Sequence, residues 1–233
     1  MEGLKMNKIS LKWVALLFCF VFGVGACASK GYNKYSNEFY DQGLVWFAQA
    51  EYDRAIDSFT KVLEMAPYGE ENYKVYYNRG TAYLKNRDYE KAIYDFTKTI
   101  ETAPGKDKEI RFFSFKSRGD AWQGKKEYPN AIRDYSKALE LFPQHGDVKH
   151  VYQGRAWAAL NMEKYDDAIS DFTAALTIDG KLANAYYGRG LAWHKKGDSQ
   201  RAMGDAKEAV KLKPDNKDYD DLIFEIRSPM KSN

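Results

Sequence analysis

The sequence has almost no cysteine and no apolar run long enough to cross a membrane. Both cysteines, Cys19 and Cys27, fall within the first 27 of 233 residues. The rest of the chain therefore has no disulfide framework and no cysteine-based metal site. The apolar stretch Trp13–Ala26 is 14 residues long. A membrane-spanning helix needs roughly 20, so this stretch is short for a span.

An excess of charge of either sign is also missing. The formal net charge is +3, of which the first 26 residues carry +2, so the remainder carries +1. A chain this close to neutral lacks the basic footprint of a nucleic-acid-binding protein, and we predict no nucleic-acid partner. Its 44% hydrophobic and 30% charged residues are ordinary for a folded domain.

The first 27 residues are organised like a secretion signal. Lys5, Lys8 and Lys12 precede the apolar stretch, which ends in small residues. Its last four letters, "VGAC" at 24–27, resemble the bacterial lipobox. That resemblance implies cleavage before Cys27 and acylation of its sulfur. We predict a lipoprotein signal peptide at 1–26, followed by a lipidated cysteine and a short tether at 27–35.

Two interpretations of this signal compete. Ordinary signal-peptidase cleavage after "ACA", at 26–28, also fits the small-x-small pattern. The lipoprotein interpretation gives Cys27 a role, and several acyl chains would hold the protein durably on a membrane. Ala28 follows the cysteine, where many lipoproteins kept in the inner membrane carry Asp. The resemblance therefore implies a lipid-anchored protein at the periplasmic face of the outer membrane.

The remainder of the chain repeats one pattern five times. An alanine recurs with a small residue twelve positions before it, an aromatic four positions after it in four repeats, and proline or glycine twelve positions after it. A further aromatic stands three after the small residue in four repeats. Small residues let paired helices approach closely, and we expect the aromatics to fill the space beside them. The alanines are Ala55, Ala92, Ala131, Ala168 and Ala202, and the small residues are Gly43, Gly80, Gly119, Ala156 and Gly190.

This register resembles the tetratricopeptide repeat (TPR), a helix-turn-helix unit of about 34 residues. The resemblance implies an all-α fold, a right-handed α-solenoid of five TPR units with a C-terminal capping helix. We predict the five units within 36–216, at 36–69, 73–106, 112–145, 149–182 and 183–216. Residues 217–233 are predicted to form the capping helix and tail, because Tyr219, Leu222 and Ile226 lie on one apolar stripe.

Glycine and proline mark the predicted turns. Gly124 and Gly197 are expected in the tight turns inside repeats, because glycine tolerates backbone angles that other residues avoid. Pro129 is expected in the first turn of a helix, where its missing N–H costs little.

No constellation of catalytic or metal-binding residues stands out. The three histidines, His145, His150 and His194, match no metal-ligand spacing. The sequence contains neither a nucleophile elbow nor a phosphate-binding loop. We therefore predict no enzymatic activity, no cofactor and no metal site.

The family resemblance instead implies a binding surface. In this family the first helices of successive units line a concave groove that receives peptides or partner helices. Carrying the groove positions onto this chain gives an aromatic and amide-rich set, which suits an apolar-anchored protein segment. The predicted groove residues are Tyr40, Leu44, Phe47, Tyr77, Asn78, Thr81, Phe113, Lys116, Asp120, His150, Gln153, Trp157, Asn184, Tyr187 and His194.

Two features qualify the groove prediction. The family's cationic clamp for a chaperone's C-terminal carboxylate is missing: Asn78 occupies one clamp position, but aromatic, aliphatic and serine residues replace the other four. A chaperone-tail receptor is therefore not expected. Trp157 has two possible roles, as a groove residue or as a core residue, because Ala159 replaces the registered aromatic of its repeat.

The sequence as a whole predicts a non-enzymatic scaffold lipoprotein at the bacterial cell envelope. Its partners would be envelope proteins bound in the groove, in a role such as outer-membrane, pilus or cell-wall assembly, and the membrane itself through the lipid anchor. The alternative is a periplasmic protein that binds a small apolar ligand and serves a transporter.

Overall fold

A computed structural model describes residues 34–228, with side chains from Ser36 onward. In this range all regular secondary structure is helical, which confirms the predicted all-α helical-repeat fold. The predicted signal peptide and the lipidation site at Cys27 lie outside the described residues. The helices are α1 (Lys34–Ala48), α2 (Tyr52–Met65), α3 (Asn72–Lys85), α4 (Tyr89–Thr102), α5 (Lys108–Gly124), α6 (Tyr128–Leu141), α7 (Val148–Asn161), α8 (Tyr165–Ile178), α9 (Ala183–Lys195), α10 (Ser199–Leu212) and α11 (Lys217–Arg227).

The chain forms two compact units, an N-terminal unit ending at Ser117 and a C-terminal unit starting at Arg118, so the boundary lies within α5. In the N-terminal unit α1 pairs with α2 and α3 with α4, and α3 also contacts both α1 and α2. In the C-terminal unit α7 pairs with α8 and α9 with α10. There α9 also contacts α7 and α11. Within each unit, first helices of successive repeats therefore lie side by side.

The registered alanines and the aromatics four positions after them form the core. Phe59, Phe96, Tyr135 and Phe172 are at most 1% exposed, as the sequence predicts. In the first three repeats the ring packs where the paired helix has a glycine. A Cβ atom added to Gly80 would lie 3.1 Å from the Phe96 ring, so a larger residue there would have to displace it. The sequence register thus sets how closely the paired helices pack.

The second set of registered aromatics is placed differently from expectation. Trp46, Tyr83, Trp122 and Trp193 were expected to fill the interior, but each is only half-buried. Each ring also has a lysine or arginine over its face, the closest being the Arg201 guanidinium 3.7 Å from the Trp193 centroid. Each of these rings stands in the last turn of the first helix of its pair, near the protein surface. Ala159, which replaces them in the fourth repeat, is buried.

A bidentate arginine–aspartate pair recurs in the last four repeats, and the sequence analysis did not identify it. Both carboxylate oxygens of Asp95 accept hydrogen bonds from Arg79, each 2.8 Å long. The arginine directly precedes the registered small residue, and the aspartate follows the registered alanine by three positions. The other three pairs have the same spacing of 16 residues: Arg118–Asp134, Arg155–Asp171 and Arg189–Asp205.

Three of these arginines also bind the preceding repeat. The third guanidinium nitrogen of Arg79, Nη1, donates to Thr60 Oγ1 of the preceding repeat at 3.0 Å. Arg155 makes the matching bond to Ser136 Oγ at 2.8 Å. Planar guanidinium groups have enough donors to bind a carboxylate on both oxygens and still reach a hydroxyl. Arg79, Arg155 and Arg189 therefore each stabilise both their own helix pair and the contact with the repeat before it.

The turn inside each repeat closes with the same hydrogen bonds. In the third repeat Lys126 has φ +62°, and the next N–H, of Glu127, donates to the carbonyl of Trp122 at 2.9 Å. This is the Schellman arrangement that ends many helices. The corresponding left-handed residues are Ala50, Arg87, Glu163 and Gly197.

Glycine occupies this strained position only in the fifth repeat. Gly197 is in the turn as predicted, with φ +84°. Gly124 is not: it is the last residue of α5, and Lys126 takes the left-handed conformation instead. Pro129 lies in the first turn of α6, as predicted.

Candidate functional site

The predicted groove residues of the N-terminal unit lie on α1, α3 and α5. Asn78 on α3 donates to the hydroxyl of Tyr40 on α1 at 2.8 Å, so the structure brings these two residues together. The Tyr40 ring is 5.8 Å from Phe59, and the Tyr77 ring is 6.0 Å from Phe96. Both half-buried tyrosines are therefore held by core aromatics behind them.

The remaining predicted groove residues of this unit mainly support packing. Leu44 and Phe47 contact the hydrophobic core, and the Phe47 ring is 5.5 Å from Tyr52. Thr81 donates its hydroxyl hydrogen to the carbonyl of Tyr77, within its own helix. Phe113 packs edge-on against Phe112, and Lys116 is half-buried.

The C-terminal unit places an aromatic series on its first helices. Trp157 on α7 lies 5.3 Å from Phe172, ring to ring, and 6.0 Å from Tyr187 on α9. Tyr187 continues the series to Tyr219 of α11 at 5.0 Å. Because Trp157 contacts the buried Phe172 and is itself half-buried, it combines both roles considered from the sequence: one side packs on the core and the other is accessible.

Two amide side chains lie on the same helices as these rings. Gln153, one turn before Trp157, is half-buried and makes no hydrogen bond with another described residue. Asn184, one turn before Tyr187, is exposed and accepts a hydrogen bond from the Tyr219 hydroxyl. We call Gln153, Trp157, Asn184 and Tyr187 the C-terminal face.

The remaining three predicted groove residues of this unit differ in exposure. His150 is exposed, with Nε2 3.7 Å from the Asp147 carboxylate. Asp120 accepts a hydrogen bond of 2.7 Å from the hydroxyl of the buried Tyr135, and burial together with this carboxylate raises the pKa of Tyr135 well above its ordinary value. His194 is half-buried, and its Nδ1 atom has no hydrogen-bond partner among residues 34–228.

Acidic side chains of α11 influence the C-terminal face. Burial raises the pKa of the Tyr187 hydroxyl, and the carboxylates of Asp218, Glu225 and Asp221 raise it further. All three carboxylates are exposed. On this unit the accessible aromatic rings therefore have a negatively charged border.

Close contacts between repeats were missed by the sequence analysis. A Cβ atom on Gly188 of α9 would lie 2.2 Å from the Phe172 ring, and one on Gly154 of α7 would lie 2.8 Å from Tyr135. These glycines stand two positions before the registered small residue, in the fourth and fifth repeats. That spacing is the sequence signal from which these contacts could have been predicted. They let the core ring of one repeat contact the backbone of the next.

An open pocket of about 280 Å³ lies between α3 and α4, lined by two tyrosines and four charged residues, of which Arg79 and Asp95 already bind each other. No group of three or more metal-ligating side chains occurs within residues 34–228. None of the helices described there has the length and apolar character of a membrane span.

Comparison of the sequence with known families gives two matches. Both family models are described as "Tetratricopeptide repeat", and they match residues 73–106 and 154–217. The first match has the same bounds as the second unit predicted from the sequence. "Tetratricopeptide repeat protein 13" of Homo sapiens is 31% identical over 80 residues, which is 32% of this chain. The matched region spans only 9% of the length of that human protein.

Solved structures share the fold at low sequence identity. A crystal structure of MamA protein has a TM-score of 0.66 at 22% identity, covering 78% of this chain and 93% of that one. MamA from Desulfovibrio magneticus RS-1 has a TM-score of 0.68 at 16% identity, covering 79% and 98%. YrrB, described as a TPR protein with an unusual peptide-binding site, has a TM-score of 0.62 at 21% identity, covering 78% and 88%.

Proposed function

Because this chain belongs to the tetratricopeptide repeat family, we propose that it is a non-enzymatic scaffold that binds protein partners through the first helices of its repeats. The C-terminal face is the observation on which this proposal rests. It combines accessible aromatic rings with a half-buried amide, Gln153, that has no hydrogen-bond partner among the described residues. YrrB, which has the same fold, is described as carrying a peptide-binding site, so the fold is compatible with this role.

The chemistry of the face suits a peptide or helix from a partner. Trp157 and Tyr187 are held by neighbouring rings, so binding costs them little conformational entropy. The free amide of Gln153 can donate to a backbone carbonyl of the partner and accept from a backbone N–H. Tryptophan and tyrosine are among the residues enriched in interface hot spots.

The proposal places this scaffold at the bacterial cell envelope, lipid-anchored at the periplasmic face of the outer membrane. The sequence "VGAC" and the three lysines that precede the apolar stretch support this location. A tether as short as residues 27–35 would hold the repeats close to the membrane, at a distance of at most about 30 Å. The partners would then be envelope proteins, in assembly of the outer membrane, of a pilus or of the cell wall.

Photo-crosslinking in cells tests the binding face. A photoreactive residue at Gln153 would lie on the C-terminal face, and one at Lys207 would lie on α10, where the lysine is exposed and forms no ion pair within the described residues. We expect a discrete protein to be linked from Gln153 and not from Lys207. Equal labelling from both positions, or no linked protein from Gln153, would contradict the proposed function.

Membrane fractionation tests the anchor. We expect Cys27→Ser to release the protein from the membrane fraction, because the acylated sulfur is lost. Cys19→Ser is the matched control, since it replaces the other cysteine of the same segment without touching the lipobox. If Cys27→Ser remains in the membrane fraction to the same extent as Cys19→Ser, the protein is not anchored in this way.

A further inference from the structure

The capping helix α11 carries a row of unpaired carboxylates beside the C-terminal face. Asp218, Asp221 and Glu225 are spaced by three and four residues, so at 100° per residue they lie on one side of the helix. All three are exposed. None of them forms an ion pair with another residue in the described range. We call these three residues the acidic stripe.

The acidic stripe is next to the accessible rings. Tyr219, the neighbour of Asp218 in sequence, is buried and packs on Tyr187 at 5.0 Å, and its hydroxyl donates to Asn184. Helix α11 contacts α9 directly. The carboxylates thus border the row of rings formed by Trp157, Tyr187 and Tyr219.

The C-terminal face itself carries no positive charge. None of the four residues of the C-terminal face is a lysine or arginine. The nearby arginines of α7 and α9, Arg155 and Arg189, are bound to Asp171 and Asp205. On α11 itself, Lys217 lies one turn before Asp221 but forms no ion pair with a described residue, so the charge of the acidic stripe is available to a partner.

From this arrangement we propose that the C-terminal face binds a basic protein segment, one whose apolar side chain contacts Trp157 and Tyr187 while its lysine or arginine side chains pair with the acidic stripe. Aromatic faces attract cations, and carboxylates beside them add a charge-assisted hydrogen bond. An acidic segment would instead meet three like charges. This inference rests on the proposed function and specifies the chemistry of the partner.

Defined peptides test this proposal with the purified protein. The probe is a fluorescein-labelled peptide of three Ala-Leu-Lys-Lys repeats, and its counterpart has glutamate at every lysine. Fluorescence anisotropy should show binding of the lysine peptide only. Raising the salt concentration should weaken that binding, because salt screens exposed charges.

Neutralising the acidic stripe is the second part of the test. The triple variant Asp218→Asn, Asp221→Asn, Glu225→Gln should bind the lysine peptide about tenfold more weakly, since each exposed pair contributes a fraction of a kcal/mol. The control variant Asp57→Asn, Glu64→Gln, Asp167→Asn removes as many exposed carboxylates from α2 and α8 and should bind like the wild type. Circular dichroism should show the same helix content for both variants as for the wild type.

Three results would overturn the proposal: similar binding of both peptides, binding of neither, or equal affinity of the two triple variants. Each of these differs from failure of the proposed function. If crosslinking from Gln153 still captures a discrete protein, the face binds a partner, and only the basic character of that partner is wrong.

Discussion

At the residue scale, the arginine–aspartate pairs are the sites where a single substitution should lower the free energy of unfolding most clearly. Asp95 is fully buried, and Arg79 is its cationic partner on both carboxylate oxygens. A buried carboxylate that loses its partner remains desolvated and unpaired, which costs much more than the pair itself contributes. Each arginine therefore contributes to stability mainly by neutralising its buried aspartate.

We expect Arg79→Met alone to lower the free energy of unfolding by about 3 kcal/mol, because Asp95 is left buried without a cation. The double variant Arg79→Met, Asp95→Leu should lie within about 1 kcal/mol of the wild type, since no charge is then buried. Urea unfolding of the two variants measures both values. A double variant that is less stable than the single one would show that the pair itself supplies the stability.

At the element scale, the spacing between helices is set by where glycine is required and where it is not. Gly188 of α9 faces the Phe172 ring, with no room for a Cβ atom. Gly204 of α10 has nothing within 4 Å of the place where a Cβ atom would lie. Both glycines lie inside helices, so alanine improves helix propensity at both sites but disturbs packing only at Gly188.

Gly188→Ala should destabilise the protein by about 1–3 kcal/mol, because the new methyl group displaces a buried ring. Gly204→Ala should stabilise it by up to about 1 kcal/mol, since alanine is the better helix former and the site is open. Thermal unfolding followed by circular dichroism compares the two variants. Destabilisation by both changes would contradict the packing described for α9.

The carboxylate at the start of α10 makes a pH-dependent contribution to stability. Asp198 accepts a hydrogen bond from the backbone N–H of Arg201, and this bond, with the Arg201 side chain, lowers the pKa of Asp198. A carboxylate whose pKa is lower when folded stabilises the protein above its unfolded pKa and loses that contribution as the pH falls through its folded pKa.

We therefore expect Asp198→Ala to lower the Tm near neutral pH, with the difference from wild type shrinking below pH of about 4. Asp198→Asn, which can still cap the helix but does not titrate, should show no such pH dependence relative to Asp198→Ala. Melting curves across this pH range make the comparison. A difference between wild type and Asp198→Ala that is the same at acidic and neutral pH would rule out the capping carboxylate as its cause.

At the scale of the whole molecule, the repeat register was enough to predict the helical fold. A fixed spacing between the small residue and the alanine brings Gly80 against Phe96 once two helices pair. The bond between Arg79 and Asp95 follows from the same pairing, but residues 16 apart show no relation until the hairpin geometry is known.

The candidate site was less predictable because exposure depends on neighbouring repeats. Phe47 and Trp157 were both predicted to line the groove because each lies on the first helix of its repeat. The structure gives them different surroundings: Phe47 packs on Tyr52 of its own helix pair, whereas Trp157 stands between a core ring and the accessible Tyr187. The exposure of each ring depends on side chains from the next repeat, and the sequence pattern of a single repeat does not include them.

The claim that the C-terminal face binds a protein is tested most directly by the affinity of the protein crosslinked from Gln153. Gln153→Arg should weaken binding of that purified protein at least about tenfold, because a bulky charge is placed between the anchor rings and the partner. Ser170→Arg makes a comparable change at an exposed position of α8 and should leave the affinity unchanged. Equal affinities for the two variants, measured by calorimetry, would mean that the partner binds elsewhere and that this face is not the binding site.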